Sequence, residues 1–127
     1  MSKKEIVTKN APNAIGPYSQ AVEINGFVYT SGQIAIDPNI GKFINGTINE
    51  QTHQVMKNLS EVLKASGLTF NDVVKTTIFC TNLTDFGIIN EIYGSYLQKP
   101  FPARSTVQVA ALPLSASVEI EMIAVKK

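Results

Sequence analysis

Tryptophan is absent from this sequence, and cysteine and histidine occur once each, as Cys80 and His53. A single cysteine excludes an internal disulfide, and these two residues cannot form a Cys/His cluster with zinc-ligand spacing. A Ser-His-Asp or Cys-His apparatus would depend on His53, which falls in the first turn of a predicted helix, and no Gly-x-Ser-x-Gly motif is present. We therefore interpret His53 as a surface or packing residue of that helix and Cys80 as a buried structural thiol.

Several sequence signals for partners and cofactors are also missing. Neither a Gly-x-Gly-x-x-Gly nor a Gly-x4-Gly-Lys motif occurs, so nucleotide cofactors are not implied. The N-terminus lacks the apolar run of a signal peptide, and no apolar stretch reaches the roughly 18 residues of a membrane span. The net charge of +1 gives no electrostatic reason to expect nucleic acid or an anionic membrane as a partner. We expect a cytoplasmic protein.

Hydrophobic periodicity predicts a single α+β domain over residues 1–127. The predicted elements are strands over 4–9, 20–24 and 27–32, a short strand, a helix over 50–66, a strand over 72–81, a helix from Thr84, and two C-terminal strands. Strand–helix–strand crossovers favour right-handed parallel pairing, so both helices are expected on the same face of one mixed sheet. The other face stays open, and its mixture of polar and apolar residues favours self-association.

The dipeptide Asn25-Gly26 is the strongest turn signal, because a type I′ hairpin needs positive φ at both central residues. The turn predicts the pairs Ile24 with Phe27, Val22 with Tyr29, and Gln20 with Ser31. Ser31 and Gly32 would then end a strand close to the loop that carries Tyr18.

Both helices have recognisable boundaries. The first ends at Gly67, which is suited to a left-handed C-terminal residue. The second is predicted to begin at Thr84 as N-cap, with Leu83 and Ile88 placed for a hydrophobic staple, and to end before Pro100.

The two C-terminal strands carry the residues best suited to chemistry. If they pair antiparallel with their valines on one side, Arg104, Thr106 and Glu119 share the polar face, and Arg104 lies opposite Glu119. The guanidinium of Arg104 suits a carboxylate ligand, and Glu119 can hold a water molecule if its surroundings raise its pKa. From the residues alone, a cross-strand ion pair and a ligand site remain equally open.

The chain resembles the RidA (YjgF/YER057c/UK114) family. The motifs that carry the resemblance are Gly16-Pro17-Tyr18-Ser19-Gln20-Ala21, Ser31-Gly32-Gln33, Glu50-Gln51-Thr52, Asn90-x-x-Tyr93, Pro102-Ala103-Arg104-Ser105-Thr106-Val107 and Val118-Glu119-Ile120-Glu121-Met122. The resemblance covers nearly the whole chain. It implies a chorismate-mutase-like fold and a homotrimer whose sheets form a central barrel with clefts between subunits.

The resemblance also implies an activity, the hydrolysis of enamine and imine intermediates released by pyridoxal-phosphate enzymes, such as 2-aminoacrylate, to 2-oxo acids and ammonia. No cofactor is implied in this protein itself. By the same resemblance Arg104 binds the substrate carboxylate and Glu119 orients the attacking water. Further substrate contacts are implied for Tyr18, Ser31, Gly32 and Thr106. Many relatives have cysteine at the position of Thr106, and threonine retains the backbone contact without the thiol.

Two other functions remain open. One is a non-catalytic protein that binds small carboxylates and regulates transcription or translation through a partner. The other is the older family label, translation inhibitor or ribonuclease, which the near-neutral charge disfavours. The presence of both Arg104 and Glu119 favours catalysis, because a simple carboxylate binder needs only the arginine.

Overall fold

The structure, a computed structural model, describes residues 2–127. Its elements in chain order are β1 (Lys4–Ile6), β2 (Ala21–Ile24), β3 (Phe27–Thr30), β4 (Ile36–Asp37), β5 (Lys42–Phe43), α1 (Ile48–Ala65), β6 (Val73–Cys80), α2 (Phe86–Ser95), β7 (Ala103–Gln108) and β8 (Val118–Val125). Of the helices in this part of the chain, none is long and apolar enough to cross a lipid bilayer.

Six strands form one mixed sheet in the order β1-β2-β3-β8-β6-β7, while β4 and β5 pair separately. Strands β6 and β7 run parallel across the α2 crossover, and the other neighbours in the sheet are antiparallel. Both helices pack on one face, where the core includes Met56 and Leu59 of α1 against Ile78, Ile120 and Met122 of the sheet. The predicted α+β fold with two helices on one face of a mixed sheet is therefore confirmed.

The predicted hairpin is confirmed in its register. Asn25 and Gly26 have φ values of 53° and 81°, as a type I′ turn requires, and Ile24 pairs with Phe27. The backbone N–H of Ser31 donates to the Gln20 carbonyl at 2.9 Å, which extends the pairing to the loop beyond β3.

Strand β1 is shorter than predicted and ends at Ile6 instead of residue 9. The buried side chain of Gln20 accounts for the difference. Its Oε1 accepts from the Thr8 N–H at 2.8 Å, and its Nε2 donates to the Thr8 carbonyl at 3.0 Å. The Gln20 amide thus satisfies the backbone N–H and C=O of Thr8, which a neighbouring strand would otherwise bond. The strand therefore ends, and the chain continues as a loop.

Helix α1 begins at Ile48, two residues before the predicted start, because Thr47 and Glu50 form a reciprocal capping box. The Thr47 Oγ1 accepts from the Glu50 N–H at 3.2 Å, and the Glu50 carboxylate accepts from the Thr47 N–H at 2.9 Å. At the other end, Gly67 has φ of 78°, which agrees with the predicted stop.

Replacement of Thr47 by alanine is expected to lower the free energy of unfolding by about 1 kcal/mol, because one N–H of the first turn loses its acceptor. Urea denaturation followed by circular dichroism measures the change. Thr84→Ala is the control, since Thr84 does not cap a helix, and we expect a loss within about 0.5 kcal/mol. Equal losses in the two variants would contradict the capping role of Thr47.

The predicted start of the second helix at Thr84 is wrong. A short 3-10 turn, Leu83–Asp85, precedes α2, and the Asn82 Oδ1 caps that turn by accepting from the Thr84 N–H at 3.0 Å. Asparagine caps more effectively than threonine and lies two residues earlier, so the chain begins to turn there. In this helix Ile89 is buried against the core, whereas Ile88 is 40% exposed.

The predicted antiparallel pairing of the two C-terminal strands is also wrong. Strand β6 lies between them, so Arg104 on β7 is aligned with Thr76, and Glu119 on β8 is aligned with Phe79. The α2 crossover delivers β7 to the edge of the sheet beside β6, and the long connection after β7 lets β8 enter between β3 and β6.

Candidate functional site

Arg104 lies on the helix-bearing face of the sheet. On β6, Thr76 and Ile78 are buried beneath the helices, and their aligned partners on β7 are Arg104 and Thr106. Directly aligned residues of neighbouring strands point to the same side. The prediction that Arg104 and Thr106 occupy the open face is therefore wrong. Polar side chains can occupy the helix face at these two positions because β7 is the edge strand. The helices cover the sheet only in part there.

Helix α2 contacts the Arg104 guanidinium in three places. Its Cζ lies 5.3 Å from the centre of the Phe86 ring and 5.2 Å from that of Tyr93. The Nη1 donates to the Asn90 Oδ1 at 2.8 Å. The Tyr93 ring is itself held by a 2.7 Å hydrogen bond between its hydroxyl and Thr76 Oγ1. Burial raises the pKa of the Tyr93 hydroxyl, with the Arg104 charge acting in the opposite direction, so this contact is with a neutral phenol.

The guanidinium faces an open cavity of about 400 Å³. Its lining consists of Asn90, Tyr93, Gly94, Phe101, Pro102 and Arg104. Within residues 2–127 no carboxylate lies within 4.0 Å of Arg104. A rigid cationic fork without an internal counter-ion, at the wall of a cavity, is suited to bind a carboxylate ligand.

Thr106 follows Arg104 on the same side of β7. Its Oγ1 is buried and has no hydrogen-bond partner among the described residues. A buried hydroxyl without a partner carries a desolvation cost, which a ligand or a neighbouring chain can remove.

Glu119 lies on the opposite, open face. On β8, Val118, Ile120 and Met122 are buried toward the helices, so the alternating Glu119 and Glu121 point away from them. The sheet itself therefore separates Glu119 from Arg104 within one chain. This arrangement excludes the cross-strand ion pair that the sequence left open.

Glu119 packs against Gly32. The backbone of the adjacent Gln33 bridges to Ile120 in both directions, with N···O distances of 2.9 Å and 3.2 Å, and this bridge places Gly32 beside the Glu119 side chain. A Cβ at position 32 would lie 2.7 Å from the Glu119 Cδ. Only glycine leaves room for the carboxyl group in this position.

The Glu119 carboxyl group lines a second cavity of about 580 Å³. Gly32, the half-exposed Tyr18, Pro113 and Leu114 line the same cavity. Burial raises the pKa of the Glu119 carboxyl above its ordinary value, and the charge of Glu121 raises it further. A carboxylate of raised basicity in a cavity is suited to accept a proton from water.

Gly32→Ala is expected to reduce kcat about 100-fold, because the added methyl group displaces the Glu119 carboxyl from its position. Steady-state kinetics of the activity proposed below measure the loss. Gly87→Ala is the matched control, since a Cβ at position 87 meets no atom within 4 Å. Unchanged kcat in Gly32→Ala would show that the position of Glu119 is unimportant.

Ser31 and Thr106 line neither cavity of the single chain. The Ser31 hydroxyl donates to the Ser19 carbonyl at 2.6 Å and so joins the loop of Tyr18 to the end of β3. The structure thus brings Tyr18, Gly32 and Glu119 to one cavity and Arg104 to the other.

Sequence reasoning did not assign a site role to Phe86 or Asn90. The available signal was their spacing: together with Tyr93 they recur at i, i+4 and i+7 and therefore share one face of α2.

His53 and Cys80, the residues on which another catalytic apparatus would depend, have the predicted exposure. His53 is exposed, and its Nδ1 lies 2.8 Å from the Tyr96 hydroxyl. Cys80 is buried, and burial raises the pKa of its thiol, which lowers the fraction of reactive thiolate. Among residues 2–127, no three His, Cys, Asp or Glu side chains are grouped closely enough to hold a metal ion.

Comparison with known proteins identifies the family and the relatives of this chain. Residues 8–126 match the family model described as Endoribonuclease L-PSP. A Mus musculus protein named 2-iminobutanoate/2-iminopropanoate deaminase is 52% identical over 124 residues, which cover 98% of this chain and 92% of the mouse protein. The chloroplastic Reactive Intermediate Deaminase A of Arabidopsis thaliana is 54% identical over 123 residues, and the match covers 96% of this chain and 66% of the plant protein.

Solved structures agree with this result. A Rid-family protein from Yersinia pestis superposes with a TM-score of 0.96 at 52% identity, covering 98% of this chain and 100% of that protein. Escherichia coli TdcF, solved with bound serine, superposes with a TM-score of 0.93 at 42% identity, covering 98% of this chain and 99% of TdcF.

Proposed function

The chain belongs to the Endoribonuclease L-PSP family, which is the RidA family indicated by its sequence motifs, and we propose that it hydrolyses 2-imino acids to 2-oxo acids and ammonia. The substrates are 2-iminobutanoate and 2-iminopropanoate, the compounds for which the mouse and human relatives are named. The observation that carries the proposal is the unpaired guanidinium of Arg104 in an open cavity, since every such substrate has a carboxylate beside the reacting carbon.

Arg104 binds the substrate carboxylate through two parallel N–H···O hydrogen bonds and thereby positions the C=N carbon. Glu119 orients a water molecule and accepts a proton as the water oxygen bonds to that carbon. The C=N π electrons move to nitrogen, which takes up the proton from Glu119 and gives a neutral carbinolamine. Transfer of the carbinolamine hydroxyl proton to the amino nitrogen then breaks the C–N bond, forms the C=O bond of the 2-oxo acid and releases ammonia. Enamine substrates such as 2-aminoacrylate first tautomerise to the imine.

Positioning suffices for this reaction because free imines already hydrolyse in water. An enzyme that holds the substrate and orients one water molecule lowers the activation free energy substantially without a covalent intermediate. This accounts for a site that contains neither a histidine nor a reactive thiol.

The complete site requires two chains, and we propose a homotrimer with one cleft at each interface. The support is geometric: Arg104 and Glu119 lie on opposite faces of the sheet and line separate cavities. The open face also exposes Phe27, Tyr29 and Val107, each at least 40% accessible in the single chain. A head-to-tail interface between sheets buries these side chains and brings Arg104 of one subunit to the Glu119 cavity of the next.

Acidification is expected to lower kcat/KM through the protonation of Glu119, with a midpoint above the ordinary value for a glutamate. Glu119→Gln should remove this pH dependence and lower kcat about 100-fold. Initial rates measured from mildly acidic to mildly alkaline pH test both statements. A parent enzyme and a Gln variant with the same pH profile would exclude Glu119 as the titrating group.

Loss of folding does not explain such a result. A raised pKa means that the folded chain binds the proton more tightly than the unfolded chain, so stability is lost as pH rises through the pKa of the folded state. The Gln variant removes the ionisation and is expected to be at least as stable as the parent at neutral pH. Thermal denaturation of the two proteins measures this control.

A coupled assay tests the proposed activity directly. Threonine dehydratase releases the enamine, and semicarbazide intercepts the imine that escapes hydrolysis. Addition of the purified chain is expected to accelerate 2-oxobutanoate release and to reduce the trapped fraction. A rate of 2-oxobutanoate release that does not change with the concentration of the chain would exclude the proposed enzymatic function.

The alternative is a regulatory protein that binds small carboxylates without turnover. The serine bound to the TdcF relative supports this alternative, because serine carries a carboxylate. In that case calorimetry detects binding of 2-oxobutanoate while the coupled assay shows no acceleration. Binding together with acceleration supports the deaminase.

A further inference from the structure

Asn90 is the one residue that hydrogen-bonds the Arg104 guanidinium in the described chain, through its Oδ1 at 2.8 Å from Nη1. It belongs to the exposed side of α2 and lies one turn after Phe86 and three residues before Tyr93. The two rings hold the guanidinium from their faces, at 5.3 Å and 5.2 Å from their centres. Contact with the ring faces does not fix the direction of the N–H donors, whereas the hydrogen bond to Asn90 does.

The acceptor on Asn90 is neutral, and this has an electrostatic consequence. An arginine offers five N–H donors, and Asn90 accepts one without cancelling the positive charge. A carboxylate at the same place would orient the guanidinium equally well but would form an ion pair with it. The pair would compete with the incoming carboxylate of the ligand and weaken its attraction to the cavity.

We propose that Asn90 is a positioning residue, which orients the fork of Arg104 toward the cavity while leaving its charge available for the ligand. The role of α2 is then to set the strength of carboxylate binding, in addition to covering the sheet. This inference rests on the proposed function for its kinetic test, and on ligand binding for a test that is independent of turnover.

Three substitutions separate charge from geometry. Asn90→Asp keeps the shape and an acceptor but adds a charge, and we expect KM to rise at least about tenfold with kcat within about threefold of the parent. Asn90→Ala removes one hydrogen bond, for which we expect a rise in KM of about fivefold. Asn90→Ser keeps a neutral acceptor of shorter reach, so its KM should lie between those of the parent and the Asp variant.

Asn45→Asp makes the same change of charge on the exposed loop before α1, away from both cavities, and is expected to leave KM unchanged. The dissociation constant of 2-oxobutanoate, measured by calorimetry, should follow the same order as KM in all four variants. Melting temperatures accompany each measurement and detect any change in folding.

The outcomes are distinguishable. If Asn90→Asp has the parent's KM and the parent's affinity for 2-oxobutanoate, or if Asn90→Ala binds more weakly than Asn90→Asp, the inference is overturned while the deaminase activity stands. If the parent shows no turnover but Asn90→Asp still weakens binding of 2-oxobutanoate, the inference stands and the proposed function fails.

Discussion

Replacement of Arg104 by alanine is expected to lower kcat/KM for 2-imino acids by about 100-fold or more, mainly through KM. The guanidinium has no internal counter-ion among residues 2–127, so its charge is available to a ligand and is not neutralised by an ion pair within the chain. The substrate carboxylate loses both hydrogen bonds and the attraction of the positive charge when the side chain is removed. The coupled dehydratase assay at several substrate concentrations separates the effects on KM and kcat.

Arg104→Lys is the matched variant. It keeps the positive charge but loses the planar fork and its contacts with the Phe86 and Tyr93 rings, so a point charge remains where two parallel hydrogen bonds were available. We expect its kcat/KM to lie between those of the parent and the Ala variant. Circular dichroism and the sedimentation coefficient verify that each variant retains the parent fold and assembly. Parent-like KM in Arg104→Ala would show that another group binds the carboxylate.

Local chemistry explains which parts of the fold were predictable. The Asn25-Gly26 turn determines the β2–β3 register through backbone dihedral angles alone, and the predicted pairs are those observed. Helix α1 was equally accessible to prediction, because seven apolar or small residues recur at helical spacing and all of them are buried. They are Thr52, Val55, Met56, Leu59, Val62, Leu63 and Ser66.

Strand neighbours were harder to predict, because no local pattern states which strand lies beside which. The two C-terminal strands are adjacent in sequence, yet β6 separates them, since α2 carries the chain across the helix face and places β7 parallel to β6. The assumption that sequence neighbours pair holds often but not here.

The side of the sheet occupied by Arg104 was mispredicted for a related reason. Val107 and Val109 of the predicted strand were assigned to the core because apolar residues are usually buried within their own chain. Val107 is instead 41% exposed on the open face, where an apolar residue suits contact with another subunit, and the polar Arg104 lies toward the helices. In the proposed trimer, the apolar residues of one chain therefore include both core residues and interface residues.

This separation of faces leads to a second prediction with a large effect. Arg104→Ala and Glu119→Gln subunits, each expected to retain about 1% or less of the parent kcat/KM by itself, are expected to recover activity when they assemble into the proposed trimers as a mixture. An interface is complete when one subunit contributes an intact Arg104 and the next contributes an intact Glu119. With equal amounts and random assembly, about one quarter of the interfaces meet this condition, because each half is intact in half of the subunits. Unmixed trimers contain no complete interface, and each mixed trimer has one complete interface out of three. The purified mixed trimers should therefore reach about one third of the parent activity.

The experiment requires subunits that exchange, by co-expression or by joint refolding, with a different affinity tag on each variant. Purification through both tags isolates the mixed assemblies, and the coupled assay measures their activity against unmixed variants treated in the same way. Arg104→Ala mixed with Gly32→Ala provides a second complementing pair, since Gly32 shapes the Glu119 cavity, and it should recover activity as well. A pair formed by Glu119→Gln and Gly32→Ala should not recover, because both variants damage the same half of the site.

The three mixtures together decide between one-chain and two-chain sites. If Arg104 and Glu119 acted within a single chain, no mixed trimer would contain an intact site and all three mixtures would remain inactive. If the two residues act across an interface, activity should return only in the mixtures whose two substituted residues lie on opposite faces of the sheet. Recovery in the third mixture would contradict the assignment of Gly32 and Glu119 to one cavity. Which of the three mixtures recover activity thus tests the side of the sheet on which each substituted residue lies.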